Sequence, residues 1–176
     1  AVTRSGNETL VLYHGNNQLM AAAKIGNGQW TTRVVDAGDG NVGELPNLAR
    51  SGAGQLAVAY RDTANGRLRV AFRNGGQWIV EIPDLPVGNA GHNPRLVAVA
   101  NEFKIFHGQI VGQLDVETDG SLLMTTRTNE GDYDSIIFPD FAVGGTIGAA
   151  ASDRGVFAST RHLSRSALFG DSDGLL

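Results

Sequence analysis

The sequence predicts an all-β fold built from repeated units, and three observations predict it. The chain repeats itself. Gly28-Gln29-Trp30 returns as Gly76-Gln77-Trp78, and the segment from Glu44 to Ala49 returns from His92 to Val97, both at an offset of 48 residues. Two landmarks sharing one offset mark a whole unit, and periods of about 40 to 50 residues with short strand-like runs belong to propeller blades or solenoid coils. The apolar runs are short, rich in β-branched and aromatic residues, and bounded by Gly, Asn or Asp. No stretch places apolar residues at helical spacing between caps.

The first unit opens near Val2 and carries strand-like runs at Leu10–Tyr13, Gln18–Ala23 and Trp30–Val35. The second runs through Leu48-Ala49, Leu56–Tyr60, Arg67–Phe72 and Trp78–Ile82. Asn27-Gly28, Asn65-Gly66 and Asn74-Gly75 supply residues that tolerate positive φ at tight turns. In the third unit Phe103–Phe106 and Ser121–Thr126 stand for two strands and Tyr133 for the tryptophan. Phe138-Pro139-Asp140 answers Ile82-Pro83-Asp84. The segment Gln109 to Val116 has no counterpart in the first two units and carries Ile110, Val111, Leu114 and Val116. Such an insertion maps to a loop on one face of a repeat protein. It is either an added contact surface or an extension of two existing strands. The fourth unit offers Ile147–Ala151, Val156–Ala158 and Ser166–Phe169, with no fourth run carrying Trp or Tyr.

Four short strands per unit and nearly four units predict a β-propeller of four-stranded antiparallel blades. About 3.6 blades fit the chain, with units near 2–45, 46–93, 94–145 and 146–176. Runs apolar on both sides, such as Leu56–Tyr60, suit blades packed face to face. Ala57, Ala59 and Ala149–Ala151 suit strands near a crowded axis. An incomplete ring would leave open sheet edges, which promote aggregation. Closure in a four-bladed ring, completion by a second copy, or membership of a longer polypeptide would each resolve this. The chain's end inside a blade favours the last.

Composition narrows the function classes. The 176 residues suffice for a substantial core, and the 24 glycines fall at turns and not in a low-complexity block. Net charge is −4 with both signs scattered, so no basic stripe points to nucleic acid. No apolar run is long enough for a helical membrane span. The absence of cysteine excludes disulfides, thiolate metal sites and a cysteine nucleophile. Scarce Lys with abundant Gly, Asn, Thr and Ser suits an exported bacterial β-protein.

The best copy of the repeat is Pro46-Asn47-Leu48-Ala49, Ala57–Asp62, Asn65–Ala71 and Gly75-Gly76-Gln77-Trp78. It resembles a blade repeat of exported bacterial β-propeller proteins. The resemblance implies the fold and an exported location, and it implies no chemistry, because propellers host lectins, hydrolases and scaffolds alike. The sialidase Asp-box and the Gly-His and Trp-Asp landmarks of WD repeats are absent.

Several residues are candidates for a site. Tyr13-His14-Gly15 and Phe106-His107-Gly108 follow the second strand of their units, Arg61 holds this place in the second, and Arg161 or His162 in the fourth. His14, Arg61 and His107 around one mouth would suit an anionic or hydroxylated ligand. A one-residue error in this alignment would reverse the side chains, and polar loop-edge pairing is the plainer reading. Four histidines leave little for a histidine-ligated metal. Trp30, Trp78 and Tyr133 sit at matching positions. They would stack on sugars if exposed, but repeated aromatics more commonly fill a core, so both tryptophans are expected to be buried. Asp171 and Asp173, in Asp171-Ser172-Asp173-Gly174, have the alternate carboxylates of a calcium loop, against a plain hairpin turn. Ser164 and Ser166 near His162 do not make a triad, and no Gly-x-Ser-x-Gly elbow occurs. No catalytic residue is assigned and no cofactor is expected, calcium excepted.

The function expected is therefore a non-catalytic binding or assembly module of an exported bacterial protein, acting through protein–protein contacts. Its partner would be another subunit or the remainder of a longer polypeptide. The alternatives are a carbohydrate-binding propeller using Trp30, Trp78 and Tyr133, and a hydrolase with His14 or His107 as acid–base at the mouth.

Overall fold

The computed structural model describes residues 1–85, 88–110, 119–128, 131–142, 146–152, 155–161 and 166–170. Among them the chain is all-β, with four antiparallel meanders in sequence order. Blade 1 holds β1 (Val2–Ser5), β2 (Glu8–Gly15), β3 (Gln18–Ile25) and β4 (Thr31–Asp36). Blade 2 holds β5 (Val42–Arg50), β6 (Leu56–Asp62), β7 (Arg67–Asn74) and β8 (Gln77–Glu81). Blade 3 holds β9 (His92–Val99), β10 (Glu102–Ile110), β11 (Asp119–Arg127) and β12 (Tyr133–Ala142). Blade 4 has three strands among the described residues: β13 (Thr146–Ser152), β14 (Gly155–Arg161) and β15 (Ser166–Gly170).

The blades stack face to face, which explains the two-sided apolar runs. Along β6 every residue is buried. Leu56, Val58 and Tyr60 turn toward Leu10, Leu12, Leu19 and Ala21 of blade 1. Ala57 and Ala59, with Leu68, Val70 and Phe72 of β7, turn the other way, toward Leu96, Phe103 and Ile105 of blade 3. A third core joins Val97, Phe106, Leu122 and Met124 of blade 3 to Ile147, Val156 and Ala158 of blade 4. Blades 2 and 3 thus each have a receiving face, turned to the blade before, and a donating face, turned to the blade after. The period-two alternation of a strand serves both.

The first strands lie side by side: β5 packs beside β9, and β9 beside β13. The Asn47 side chain accepts the Leu96 amide at 2.7 Å, and the Gly52 amide donates to the Ala100 carbonyl at 2.6 Å. β5 begins at Val42, ahead of the Pro46 start read from sequence, because the lead-in to each blade is itself clamped to its predecessor. The Val42 amide donates to the Asn17 carbonyl, and the Ala90 amide to the Gly66 carbonyl, at 3.0 and 2.9 Å. Gly43 (φ 94°) and Gly91 (φ 81°) lie 48 residues apart and press against Leu19 and Leu68. A Cβ there would sit 2.7 Å from the Leu19 backbone or 2.8 Å from that of Leu68, so only glycine fits both the space and the positive φ.

The insertion read at Gln109 to Val116 is described at its start only: Gln109 and Ile110 continue β10, and residues 111–118 lie outside the described residues.

Candidate functional site

The strand ladders establish which residues are equivalent between blades. Val2 pairs with Val11, Leu48 with Val58 and Leu96 with Ile105. Two residues further along the second strand stand Tyr13, Tyr60 and His107, spaced 47 residues apart. The next position holds His14, Arg61 and Gly108. The expected match of His14 with His107 is therefore one residue out. That slip reverses the side chain, so His107 turns to the side of Phe103 and Ile105 and does not join His14 and Arg61.

His107 is fully buried. The Gly91 amide donates to its Nδ1 at 3.2 Å, which leaves Nε2–H to donate to Thr125 Oγ1 at 2.9 Å; Thr125 in turn contacts Ser135 Oγ at 2.8 Å. Burial brings the His107 pKa down to about 4. The ring is a neutral structural pin and not an acid–base group at an open mouth.

His14 and Arg61 instead belong to a repeated clasp between successive blades. His14 Nε2 donates to Asn41 Oδ1 at 2.7 Å, and Asn41 Nδ2 donates to Glu44 Oε1 at 2.6 Å. One unit later Arg61 donates to Asn89 Oδ1 at 2.9 Å and to the Ala90 carbonyl at 2.6 Å, while His92 Nε2 donates to Asn89 Oδ1 at 3.2 Å. Hydrogen bonds from Thr63 and then Asn41 hold the Glu44 carboxyl below its ordinary range. Burial, then the Arg61 charge, bring His92 down to about 4. The donors of Arg61 are directed at the next blade's lead-in, so this row fastens blades together. Asn41-Val42-Gly43-Glu44 and Asn89-Ala90-Gly91-His92 repeat at 48 residues in the sequence, and that spacing was the available signal for the clasp.

The same boundary holds a buried ionic network that the sequence reading missed. Tyr60 Oη donates to Asp36 Oδ2 at 2.7 Å, and Arg69 bridges Asp36 (3.1 Å) and Asp62 (2.8 Å). Burial and the Asp36 contact push the Tyr60 phenol far above its ordinary range. At the opposite end of the blades two bidentate pairs cross the boundaries. Arg73 donates to Glu8 at 2.6 and 2.8 Å, and Arg127 to Glu81 at 2.8 Å through both nitrogens. A groove of about 610 Å³ opens beside the first pair, lined by Ala21, Ala23, Ile25, Arg33 and Arg73 among others.

Trp30, Trp78 and Tyr133 are equivalent, as Trp78 pairs with Arg73 and Tyr133 with Arg127, while Trp30 follows on from the Ala23–Thr31 pair. Trp78 packs against the core between blades 1 and 2, and Tyr133 against the next core, with its hydroxyl donating to Glu81 at 2.7 Å. Trp30 does not follow: it is 49% exposed, against the expectation of burial. The cause is positional. Trp78 and Tyr133 rest on the blade before theirs, and nothing described rests on the receiving face of blade 1.

Asp171, Asp173, His162 and Ser164 lie outside the described residues, as does the side chain of Arg161. Among the described residues no group of three His, Cys, Asp or Glu side chains is placed to hold a metal ion.

Among solved structures the chain resembles the GH43 endo-arabinanase from Bacillus licheniformis, with a TM-score of 0.52 at 12% sequence identity. The match covers 96% of this chain and 70% of that one. The fold is a β-propeller. At this identity the likeness shows the fold and nothing of the activity. No protein-family model matches the chain, and no curated protein matches it.

Proposed function

We propose that this chain is a non-catalytic binding and assembly module of an exported bacterial protein, working through protein–protein contact at the receiving face of blade 1. One observation carries the reading. Val2, Tyr13 and Trp30 are open to solvent, while Leu96, Tyr60, His107 and Trp78, their equivalents in later blades, are buried or half-buried against a neighbour. A contiguous apolar sheet face in water is a contact surface in waiting. The non-catalytic part is supported by the carboxylates. A glycosidase works with two carboxyl groups flanking its substrate, and here Asp36 and Asp62 are both bound to one buried arginine. The scarcity of lysine supports the exported setting.

Oxidative footprinting tests the reading on the protein in its native assembly and on the isolated chain. Tyr13 and Trp30 should be shielded in the assembly and reactive in the isolated chain. Equal reactivity in both would reject it.

A second reading, carbohydrate binding, is favoured by Trp30 alone, because stacking on a sugar needs an exposed ring. Titrating a Trp78→Phe variant with neutral and acidic oligosaccharides would report on Trp30 directly. An unmoved emission maximum throughout would remove that reading.

A further inference from the structure

The receiving faces of blades 2 and 3 say what the open face of blade 1 is built to take. In blade 2 that face is Leu48, Val58, Tyr60, Ala71, Val80 and Trp78; the ladder equivalents in blade 1 are Val2, Val11, Tyr13, Ala22, Thr32 and Trp30. What covers the blade 2 face is known: two aliphatic rows from Leu10, Leu12, Leu19 and Ala21. Two carboxylates accompany them. Asp36, at the end of β4, takes the Tyr60 hydroxyl, and Glu8 clamps Arg73. Blade 3 repeats the second feature, where Arg127 is clamped by Glu81 of blade 2.

Arg73 and Arg127 have a counterpart in blade 1. Lys24 pairs with Thr9 as Arg73 pairs with Leu56, and Lys24 and Trp30 are the next residues beyond the Ala23–Thr31 pair, the step at which Arg73 pairs with Trp78. Lys24 makes no ion pair with any described residue. Tyr13 holds the ladder position of Tyr60, whose hydroxyl meets Asp36. Val2 is 69% exposed where Leu96 is 4%. The blade 1 face thus keeps the aliphatic centre, the phenol and the cation of a blade boundary, and no described residue supplies the opposite half.

We infer that this face binds the donating face of one further antiparallel β-blade, supplied by a different polypeptide segment and not by a second copy of this chain. That blade presents two aliphatic rows, a carboxylate at the end of its fourth strand for Tyr13, and a second carboxylate for Lys24. The inference rests on the assembly reading above and names its partner. The structural likeness agrees with a larger ring, because nearly the whole of this chain spans 70% of the matched propeller.

The test supplies the missing half from the chain's own sequence. Residues 1–47 are placed ahead of Val2, so that a duplicate of blade 1 offers Glu8, Leu10, Leu12, Leu19, Ala21 and Asp36 to the open face. Asn47 then leads into Val2 as it naturally leads into Leu48. With Trp78→Phe, and Trp30→Phe in the duplicate only, the remaining Trp30 is the sole tryptophan. Its acrylamide quenching should be lost. Glu8→Lys in the duplicate should restore quenching, and Lys24→Glu in the original blade should remove it again. A folded tandem chain in which Trp30 stays open to acrylamide overturns the inference. A homodimer of the unmodified chain that shields Trp30 also overturns it, while leaving the assembly reading in place. Should the duplicate fail to fold, Lys24→Glu and Tyr13→Phe are made in the unmodified chain. An unchanged urea midpoint supports a free face; a lowered midpoint shows both residues already engaged within the chain and overturns it.

Discussion

Tyr13 and Tyr60 occupy the same ladder position in successive blades, yet Tyr60 is fully buried with its hydroxyl on Asp36 while Tyr13 is 36% exposed. Identical residues at identical backbone positions differ because one has a blade in front of it. The difference predicts the energetics. Tyr60→Phe removes a hydrogen bond to a buried carboxylate and should cost about 2 kcal/mol, whereas Tyr13→Phe should cost less than about 0.5 kcal/mol. Urea unfolding of the two variants checks this.

The two tryptophans should divide in the same way. Trp78→Ala leaves a cavity in the core between blades 1 and 2 and should cost about 3 kcal/mol. Trp30→Ala should lie within about 0.5 kcal/mol of the parent. Chemical denaturation followed by circular dichroism, which needs no tryptophan, gives both values.

Gly43 and Gly91 should resist substitution. Each combines a positive φ with a neighbouring backbone that an added Cβ would approach to less than 3 Å, so Gly43→Ala or Gly91→Ala should destabilise by about 3 kcal/mol. Gly88 has neither constraint. Gly88→Ala should be neutral to within about 0.5 kcal/mol in the same thermal or urea assay.

Acid should weaken the fold through His107. Its folded pKa of about 4 lies below the ordinary histidine value of 6.5, so the unfolded chain binds the extra proton first. Stability from the neutral ring is complete above the unfolded pKa and falls as pH drops from about 6.5 to about 4, by a total on the order of 3 kcal/mol. His92 adds a smaller loss of the same sign, as its ring is only partly buried. His107→Gln should flatten the decline in urea midpoint between pH 7 and pH 5. An equally steep decline would place the titration elsewhere.

The sequence by itself determined the all-β class, the four-stranded unit and the equivalence of Trp30, Trp78 and Tyr133. Period and strand alternation are local properties, and they repeat because every blade solves the same packing problem. The spacing of Asn41 and Gly43 from Asn89 and Gly91 was also legible, although its meaning was not: it takes the approach of Gly43 to Leu19 to show that the lead-in must be glycine. Only the tertiary structure decided the register of His107: the Leu96–Ile105 pair places it level with Tyr13 and Tyr60 and not with His14, and a single residue reverses a side chain. It also decided which tryptophan is buried. Burial depends on what stands in front of a face, and a pattern of residues along one strand carries no record of its neighbour.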